Sequence, residues 1–354
     1  MGFEKWKYWL IRVGGILLAF LVAGIVCTIL APGSFGLFFS ELFRGCFDFS
    51  DISSVIDLLV TFSILLLITI ALIPSFKMKF WNIGAEGQVL VGALVSAGIA
   101  KFAPSDMPNF VILMLCAVCS IIAGAIWSII PAIFKAFFNT NETLFTLMLN
   151  YIATILGAMA ISIWIKSGSQ SFGVLSQGIF PEVLENSGTL VIPNVALVFI
   201  GMFFYTNRSK HGYELSVVGE SLNTARYIGV NVRYVIIRTL VQGGCICGLA
   251  GFLLVCAVHQ SFSSTIVGGQ GFTAVLIAWL GHFDPMEAIL FSFLTAVMEQ
   301  GTVTAASAVN ISSTQFSAIC TGTFFFIIIA CEFFSRYQIK IHHKEKEVGV
   351  KAHE

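Results

Sequence analysis

The polar residues best suited to bind a solute lie where apolar segments begin. Asn82, Glu86 and Gln88 stand among glycines in the stretch 81–88, directly before an apolar run. Irregular backbone at membrane depth is tolerated only where it is buried in protein or faces water, and a carboxylate there must be paired or hydrated. One interpretation is that this stretch lines a polar passage. The other is that Glu86 caps the positive N-terminal end of a helix at the membrane interface.

Comparable residues occur at three other places in the chain. Gln270 and Phe272 belong to the glycine cluster 268–272, which opens a short apolar segment. Asn150 lies inside an apolar run, where it should face other protein or water, and Glu299 lies late in another run. With the three residues named above, they are our candidates for lining a substrate path. For Glu299 the alternative is a satisfied hydrogen bond between two helices.

No catalytic pattern accompanies these residues. The sequence contains no Walker-type phosphate loop, no His-Glu-x-x-His zinc motif and no Gly-x-Ser-x-Gly elbow. Cys116 and Cys119 form a Cys-x-x-Cys pair, but it lies in an apolar run without a nearby His, so packing is the simpler interpretation than metal or redox chemistry. We expect no catalysis, no metal and no cofactor, so uphill transport would need an ion gradient or a separate energy-supplying subunit.

The composition is typical of a protein that is solvated by lipid. Of 354 residues, 57% are apolar and 11% are charged, whereas a soluble domain has about 25% charged residues. A soluble chain this apolar would expose patches that aggregate. The net charge of zero creates no field that would attract nucleic acid, so we expect none as a partner.

Ten apolar segments approach the length of about 20 residues that a helix needs to cross the bilayer. The first is predicted to be a retained helix, because its apolar stretch is longer than that of a cleaved signal peptide. The eighth is short, and it is predicted to be a half-helix or a broken span. The segments are roughly 11–31, 55–75, 83–103, 109–134, 143–165, 189–206, 235–257, 270–283, 286–303 and 313–335.

Basic residues predict the orientation of these segments. Ten crossings put both termini on one face, and all but three of the 19 basic residues then fall on that face. Basic loops face the cytoplasm, so both termini are predicted to be cytoplasmic. The exceptions are Arg44, Lys101 and Lys166. The sequence therefore predicts an all-α polytopic membrane protein with about ten transmembrane helices.

A weak internal repeat divides the chain. Three residues of 139–145 recur with the same spacing in 310–316, and a Gly-Gln pair stands in both 87–88 and 269–270. Five crossings separate the two copies, so they would run in opposite directions, as in transporters whose substrate site lies between inverted repeats; the alternative is a chance match. The matching residues are Asn139, Thr143 and Phe145 with Asn310, Thr314 and Phe316.

These features predict one membrane domain followed by a tail. The transmembrane domain covers 1–335, with inverted-repeat halves at about 55–165 and 235–335 that contain broken helices. A long cytoplasmic loop covers 207–234. The charged tail 336–354 is predicted to be cytoplasmic.

The loop 207–234 contains a predicted short helix. Gly219 and Gly229 bracket a stretch of two to three helical turns that Ser221 can cap. Arg226 supplies a cation, and an imperfect apolar face is formed by Leu222, Ala225 and Tyr227. Such a helix suits the docking of a partner protein. The alternative is a helix that lies on lipid headgroups.

Four motifs in this order resemble the permease subunits of bacterial ABC importers for simple sugars and nucleosides. The chain is most similar to the purine-nucleoside branch, which works with a Bmp/Med-like binding lipoprotein, and the resemblance runs from about residue 10 to 335. The motifs are Trp81-Asn-Ile-Gly-Ala-Glu-Gly-Gln88, Asn141-Glu-Thr through Met148-Leu-Asn-Tyr151, Gly219 through Gly229-Val-Asn-Val, and Gly269-Gln-Gly-Phe through Leu280-Gly-His-Phe-Asp-Pro285.

The resemblance implies a set of partners. They are an ATP-binding subunit, a second related permease chain and an external substrate-binding lipoprotein, at a bacterial cytoplasmic (inner) membrane. The substrate would be a small polar solute, most simply a purine nucleoside or a related sugar. The loop would be the helix that couples to the ATPase, with the matching residues Gly219, Glu220, Ala225, Arg226, Tyr227 and Gly229.

The chain departs from the family pattern at two points. Ser221-Leu222 stands where the family often has Asn-Pro, which leaves the start of the coupling helix open. Trp279 stands in a run where the family commonly has leucine, and its bulk would narrow that half of the path.

Two other classes of function compete with a translocation subunit. A secondary transporter would use intramembrane carboxylates such as Glu86 or Glu299 as proton relays. A membrane enzyme or receptor is disfavoured because no catalytic cluster is recognisable.

Overall fold

The computed structural model describes residues 2–30, 35–48, 52–165, 172–183, 186–308 and 313–336. Within them the chain is almost entirely helical, with one isolated bridge between Val183 and Asn186. The helices are α1 (Gly2–Leu30), α2 (Phe35–Phe47), α3 (Ile52–Lys77), α4 (Ala85–Phe102), α5 (Asn109–Phe138), α6 (Glu142–Trp164), α7 (Val191–Arg208), α8 (Lys210–Glu220), α9 (Leu222–Tyr227), α10 (Val232–Leu253), α11 (Gln270–Leu280), α12 (Pro285–Ala308) and α13 (Ser313–Arg336).

Eight described helical segments are long and apolar enough to cross a membrane. Two shorter apolar helices, Val13–Val26 and Gln270–Leu280, coincide with the first and eighth predicted segments. The all-α membrane class is thus confirmed, while the number of crossings and the orientation stay predictions. The eight segments are Ile52–Lys77, Ala85–Phe102, Asn109–Phe138, Glu142–Trp164, Ser187–Arg208, Val232–His259, Pro285–Ala308 and Gln315–Phe333.

Helix α2 lies between the first and second predicted apolar segments, where the sequence analysis places no membrane-length helix. Its residues Leu42 and Cys46 are fully buried, and they belong to a cluster that also includes residues of α12. A Cβ atom on Gly301 of α12 would clash with the Leu42 side chain, so the two helices approach closely there. This long-range packing, rather than a membrane-length apolar run, accounts for α2.

Helices α3 and α10 form the centre of the bundle. Every residue of α3 from Ser63 to Phe76 is buried. Helix α3 packs against α11 and α12, whereas α10 packs against α4 and α5, and the two central helices also contact each other. The first helix of each predicted repeat therefore packs mainly on helices of the other one. The inverted repeats themselves stay a prediction, and Asn310, one of the matching residues, lies outside the described residues.

Small residues allow α4, α5 and α10 to pack with their backbones almost in contact. A Cβ atom on Gly124 would clash with the carbonyl oxygen of Gly244, and one on Gly248 would clash with the carbonyl oxygen of Ser120. The Ser120 hydroxyl donates a 2.9 Å hydrogen bond to the carbonyl of Gly92. Small residues and interhelical hydrogen bonds of this kind hold helices together in lipid, where hydrophobic burial contributes little.

The chain is broken on both sides of α11. After α10 it continues as a π-helical segment, Leu254–His259. It then turns through Gly268 and Gly269, whose φ angles of 61° and 84° favour glycine. Helix α11 begins directly afterwards and has 11 residues, about 16 Å at 1.5 Å per residue. The eighth segment is short, as predicted, and a helix of this length cannot cross the hydrocarbon unaided.

Candidate functional site

The Glu86 carboxylate joins the start of α4 to the start of α11. Its Oε1 accepts a 2.9 Å hydrogen bond from the backbone N–H of Gly269. Its Oε2 accepts a 2.8 Å hydrogen bond from the backbone N–H of Gly271. Both donors belong to the N-terminal end of α11, where helical N–H groups lack partners within the helix and the helix dipole is positive. Glu86 therefore caps a helix, but the helix is α11 rather than the one that contains Glu86.

Two asparagine side chains fix the irregular backbone before α4. The side chain of Asn150 accepts from the N–H of Gly87 at 2.9 Å and donates to the carbonyl of Ile83 at 2.9 Å. The side chain of Asn82 accepts from the N–H of Gly84 at 3.0 Å. Asn82 and Asn150 are both buried, so their amides replace hydrogen bonds that water cannot supply. The expectation that Asn150 faces protein is confirmed.

Gln88, Gln270 and Phe272 lie on the same two helix starts. The Oε1 atoms of Gln88 and Gln270 are buried without a hydrogen-bond partner, so each side chain retains an unused acceptor. Phe272 is 40% exposed on the first turn of α11. The structure thus gathers five of the seven path candidates at α4 and α11, with Asn150 beside them. Their contact with a substrate stays a prediction.

Glu299 lies apart from this group. It belongs to α12 near α13, and its backbone carbonyl accepts hydrogen bonds from the hydroxyls of Thr302 and Ser317. Among the described residues, no hydrogen bond or ion pair connects its carboxylate to the group around Glu86. The structure therefore does not place Glu86 and Glu299 in one relay.

An aromatic cluster that the sequence does not predict lies beside the broken helices. The ring centroids of Phe76 and Trp81 are 5.5 Å apart, and that of Phe283 lies 5.6 Å from Phe76 and 6.2 Å from Trp81. The cluster joins the α3–α4 connection to the α11–α12 connection. Trp81 and Phe283 stand next to the two helix breaks in the sequence. Because the chain is rich in aromatic residues, this position alone does not distinguish them from many others.

The predicted coupling loop folds as two helices, α8 and α9. Helix α9 has six residues, fewer than the two to three turns that the sequence predicts. Ser221 separates the helices, and its hydroxyl caps α9 by accepting a 3.3 Å hydrogen bond from the N–H of Thr224. Gly229 follows α9 with a φ angle of 84°. The predicted cap is correct, and the helix is shorter because α8 extends to Glu220.

Buried contacts tie this loop to the membrane bundle. Ala225 of α9 is fully buried in a cluster with Met78 and Phe80 of the α3–α4 connection and with Val232 of α10. A Cβ atom on Gly219 would clash with the carbonyl oxygen of Lys77, so α8 touches the end of α3 through backbone. A displacement of α9 would therefore act directly on the segment that precedes Asn82 and Glu86.

The outer surface of α9 is exposed. Tyr227 is 92% exposed, and Leu222 and Ile228 are each 49% exposed. Glu220 and Arg226 are also exposed, and neither forms an ion pair among the described residues. Clustered exposed apolar side chains are typical of an interaction surface.

A charged contact holds α8 against α10. The Glu214 carboxylate lies 3.0 Å from the Arg238 guanidinium and 3.5 Å from Nδ1 of His211. Burial acts to raise the pKa of Glu214, but hydrogen bonds from Arg238 and His211 outweigh it, so the pKa of this carboxyl is lowered. Glu214 is therefore ionised at neutral pH. No three His, Cys, Asp or Glu side chains within the described ranges gather closely enough to hold a metal ion.

Three known proteins that resemble this chain are named as ABC transporter permeases. The glucose ABC transporter permease protein TsgB13 of Haloferax volcanii is 26% identical over 92% of this chain and 88% of its own length. The guanosine ABC transporter permease protein NupP of Bacillus subtilis is 28% identical over 79% of this chain and 82% of its own length. A second Bacillus subtilis protein, the guanosine ABC transporter permease protein NupQ, is 23% identical over 59% and 68%.

A family model covers most of the chain. The model described as "Branched-chain amino acid transport system / permease component" matches residues 54–329. The match includes nearly all of α3, all of α4 to α12 and most of α13, and with them the Glu86 contact, the α8–α9 loop and the aromatic cluster. The chain belongs to this family of transport permeases.

Proposed function

We propose that this chain is a translocation subunit of an ATP-driven importer, in which the loop around α9 receives the motion of a separate ATPase. The observation that carries the proposal is the exposed surface of α9 on one side and its buried anchor, Ala225, on the other. An exposed helix alone would suit any partner. Its buried attachment to the α3–α4 connection makes it suited to transmit force into the bundle.

Motion of the ATPase would reach the Glu86 contact in three steps. A partner bound to Arg226 and Tyr227 would move α9, and Ala225 would carry that motion to Met78 and Phe80. These residues immediately precede Asn82 and the first turn of α4. The Glu86 contact with α11 would then change, because one end of it is fixed to the moving segment.

The proposed substrates are nucleosides, in particular purine nucleosides, or related simple sugars. Relatives of similar length are named as permeases for guanosine and glucose. The α4 and α11 starts offer unused amide acceptors at Gln88 and Gln270, which suit the hydroxyls and amines of such solutes. Phe272 offers an exposed aromatic face against which an apolar sugar face or a base can stack.

The proposed assembly contains an ATP-binding subunit, a second related permease and an external binding lipoprotein, in a bacterial cytoplasmic membrane. The second permease is supported by the two related guanosine permeases of Bacillus subtilis. The distribution of basic residues supports cytoplasmic termini and a cytoplasmic α8–α9 loop.

Reconstitution tests this proposal. The chain would be purified with the ATPase, the second permease and the lipoprotein of the proposed importer and placed in proteoliposomes. We expect ATP-dependent uptake of radiolabelled guanosine or adenosine that unlabelled purine nucleosides inhibit more than ribose does. A complex with a hydrolysis-deficient ATPase is the control and should give no uptake. Uptake that persists with this control but collapses with the proton gradient would instead establish a secondary transporter.

A further inference from the structure

A cavity of about 920 Å³ lies beneath the coupling loop. Its walls come from the connection after α3, the end of α5, the start of α6, the α8–α9 junction and the start of α10. Four basic residues line it, together with two acidic ones. They are Lys79, Lys135, Arg226 and Arg233, with Glu142 and Glu220. We propose that this cavity binds the phosphate group of an anionic phospholipid.

Two of the six charged residues that line the cavity form an ion pair with each other. Lys135 and Glu142 form a 2.7 Å ion pair, so they neutralise each other. Lys79, Arg226 and Arg233 form no ion pair among the residues that the structure describes. Glu220 is the one other acidic residue among those that line the cavity. The cavity therefore carries a net positive charge of two, which a phosphodiester can reduce while its oxygens accept hydrogen bonds from lysine and arginine.

The cavity also adjoins an apolar surface at the C-terminal end of α5. Phe137 lines it and is 56% exposed, and the neighbouring Phe138 is 69% exposed. The Arg233 guanidinium lies 5.2 Å from the centroid of the Phe137 ring, so a cation and an exposed aromatic surface stand side by side. Ile236 of α10 adds a further apolar wall. An amphiphile could place its headgroup among the cations and its acyl chains along these aromatic and aliphatic side chains.

A lipid suits this arrangement better than a soluble phosphate. A soluble anion would gain nothing from the exposed Phe137 and Phe138. The cavity also lies at the membrane face that we propose to be cytoplasmic, where anionic lipids attract basic pockets between helices. The inference rests on the proposed orientation of the chain, but it does not depend on the proposed substrate or on ATP coupling.

The cavity lies where the coupling loop meets the α3–α4 connection. Gly219, Ser221 and Leu222, at the junction of α8 and α9, line the same space as Phe80 of the α3–α4 connection. A lipid bound there would contact both the loop and the segment that it moves. The bound lipid would therefore stabilise the loop against the bundle.

Thermal denaturation of the purified full-length chain in a neutral detergent tests the proposal. Phosphatidylglycerol, phosphatidylcholine and inorganic phosphate would be titrated in parallel. We expect phosphatidylglycerol to raise the melting temperature in a saturable manner, while the other two leave it unchanged. Equal effects of the two lipids, or an effect of inorganic phosphate as large as that of phosphatidylglycerol, would overturn the assignment.

Two double variants test whether phosphatidylglycerol binds in this cavity. The double variant Lys79→Gln/Arg233→Gln should weaken the apparent affinity for phosphatidylglycerol at least tenfold. The matched control Arg208→Gln/Lys210→Gln removes two charges from the neighbouring α7–α8 junction, which does not line the cavity, and should retain the affinity. Arg226 is left unchanged because it belongs to the proposed docking surface. Equal losses in both double variants would contradict the proposal.

A second measurement distinguishes loss of the lipid site from misfolding of the variant. Native mass spectrometry of the same samples would count bound phosphatidylglycerol molecules, and the double variant should lose one relative to the control. Arg233→Lys keeps the charge and should keep this bound lipid. Retention of all bound lipid by the folded double variant would overturn the site, and it would leave the proposed transport function untouched.

Discussion

The Oε2 atom of Glu86 accepts a 2.8 Å hydrogen bond from the backbone N–H of Gly271. The two residues are 185 positions apart in the chain and begin two different broken helices. With the second bond to Gly269, the carboxylate supplies both charge and acceptors to the N-terminal end of α11. This single side chain therefore connects the two predicted halves of the permease at the starts of α4 and α11.

Replacing Glu86 with Gln should destabilise the protein and impair uptake. Gln keeps the shape but removes the negative charge and one of the two acceptor oxygens, at a cost of about 1.5–3 kcal/mol for a hydrogen bond to a charged group. We expect the melting temperature in detergent to fall by several degrees and uptake to fall by about tenfold. The control Glu182→Gln changes an exposed carboxylate of the 172–183 segment and should have no effect. Unchanged stability of Glu86→Gln would show that the bonds contribute little.

Replacing Arg226 with Glu should uncouple ATP hydrolysis from uptake. Arg226 is exposed, so the variant should reach the membrane, and its melting temperature in neutral detergent without added lipid should be unchanged. Reversing a charge at a docking surface costs several kcal/mol, so uptake should fall by at least about tenfold. ATPase activity and uptake would be measured in the reconstituted complex, with Lys210→Glu on α8 as the control. Normal coupled uptake by Arg226→Glu would remove α9 from the ATPase interface.

Replacing Gly124 with Ala should disrupt the seam between α5 and α10. The added Cβ atom would clash with the carbonyl oxygen of Gly244, which belongs to a rigid helix backbone. Overpacking of this kind costs about 1–3 kcal/mol. The matched control is Gly201→Ala on α7, because a Cβ atom there would meet nothing within 4 Å. Size-exclusion profiles and melting temperatures would be compared, and equal stability of the two variants would contradict the packing argument.

The Glu214 contact predicts a stability difference that depends on pH. The pKa of Glu214 is lowered in the folded protein, so its stabilising effect is present above the unfolded pKa of about 4.3 and is lost as the pH falls through the folded pKa. Glu214→Gln should therefore lower the melting temperature at pH 7, by an amount corresponding to about 1 kcal/mol. This difference from the unmodified protein should shrink below about pH 4. A difference of equal size at both pH values would show that the contact acts through shape alone.

The sequence predicts the local features of the fold because these features depend on residues that are neighbours in the chain. Apolar runs predicted the membrane helices, and the glycines at 268 and 269 predicted the break before α11, where both residues adopt positive φ angles. Ser221 was recognised as a cap because capping needs only a hydroxyl three residues before a free N–H. Each of these signals is contained within a few consecutive residues.

The sequence by itself determined the membrane class, the positions of the broken helices and the family. Only the tertiary structure decided that Glu86 caps α11, that α2 packs on α12, and that Phe283 packs against Phe76 and Trp81. Each of these contacts joins segments far apart in the chain, so no local period or spacing encodes it. The partner of a side chain depends on how helices pack, and in lipid that packing follows from close contact between small residues and from interhelical hydrogen bonds rather than from hydrophobic burial.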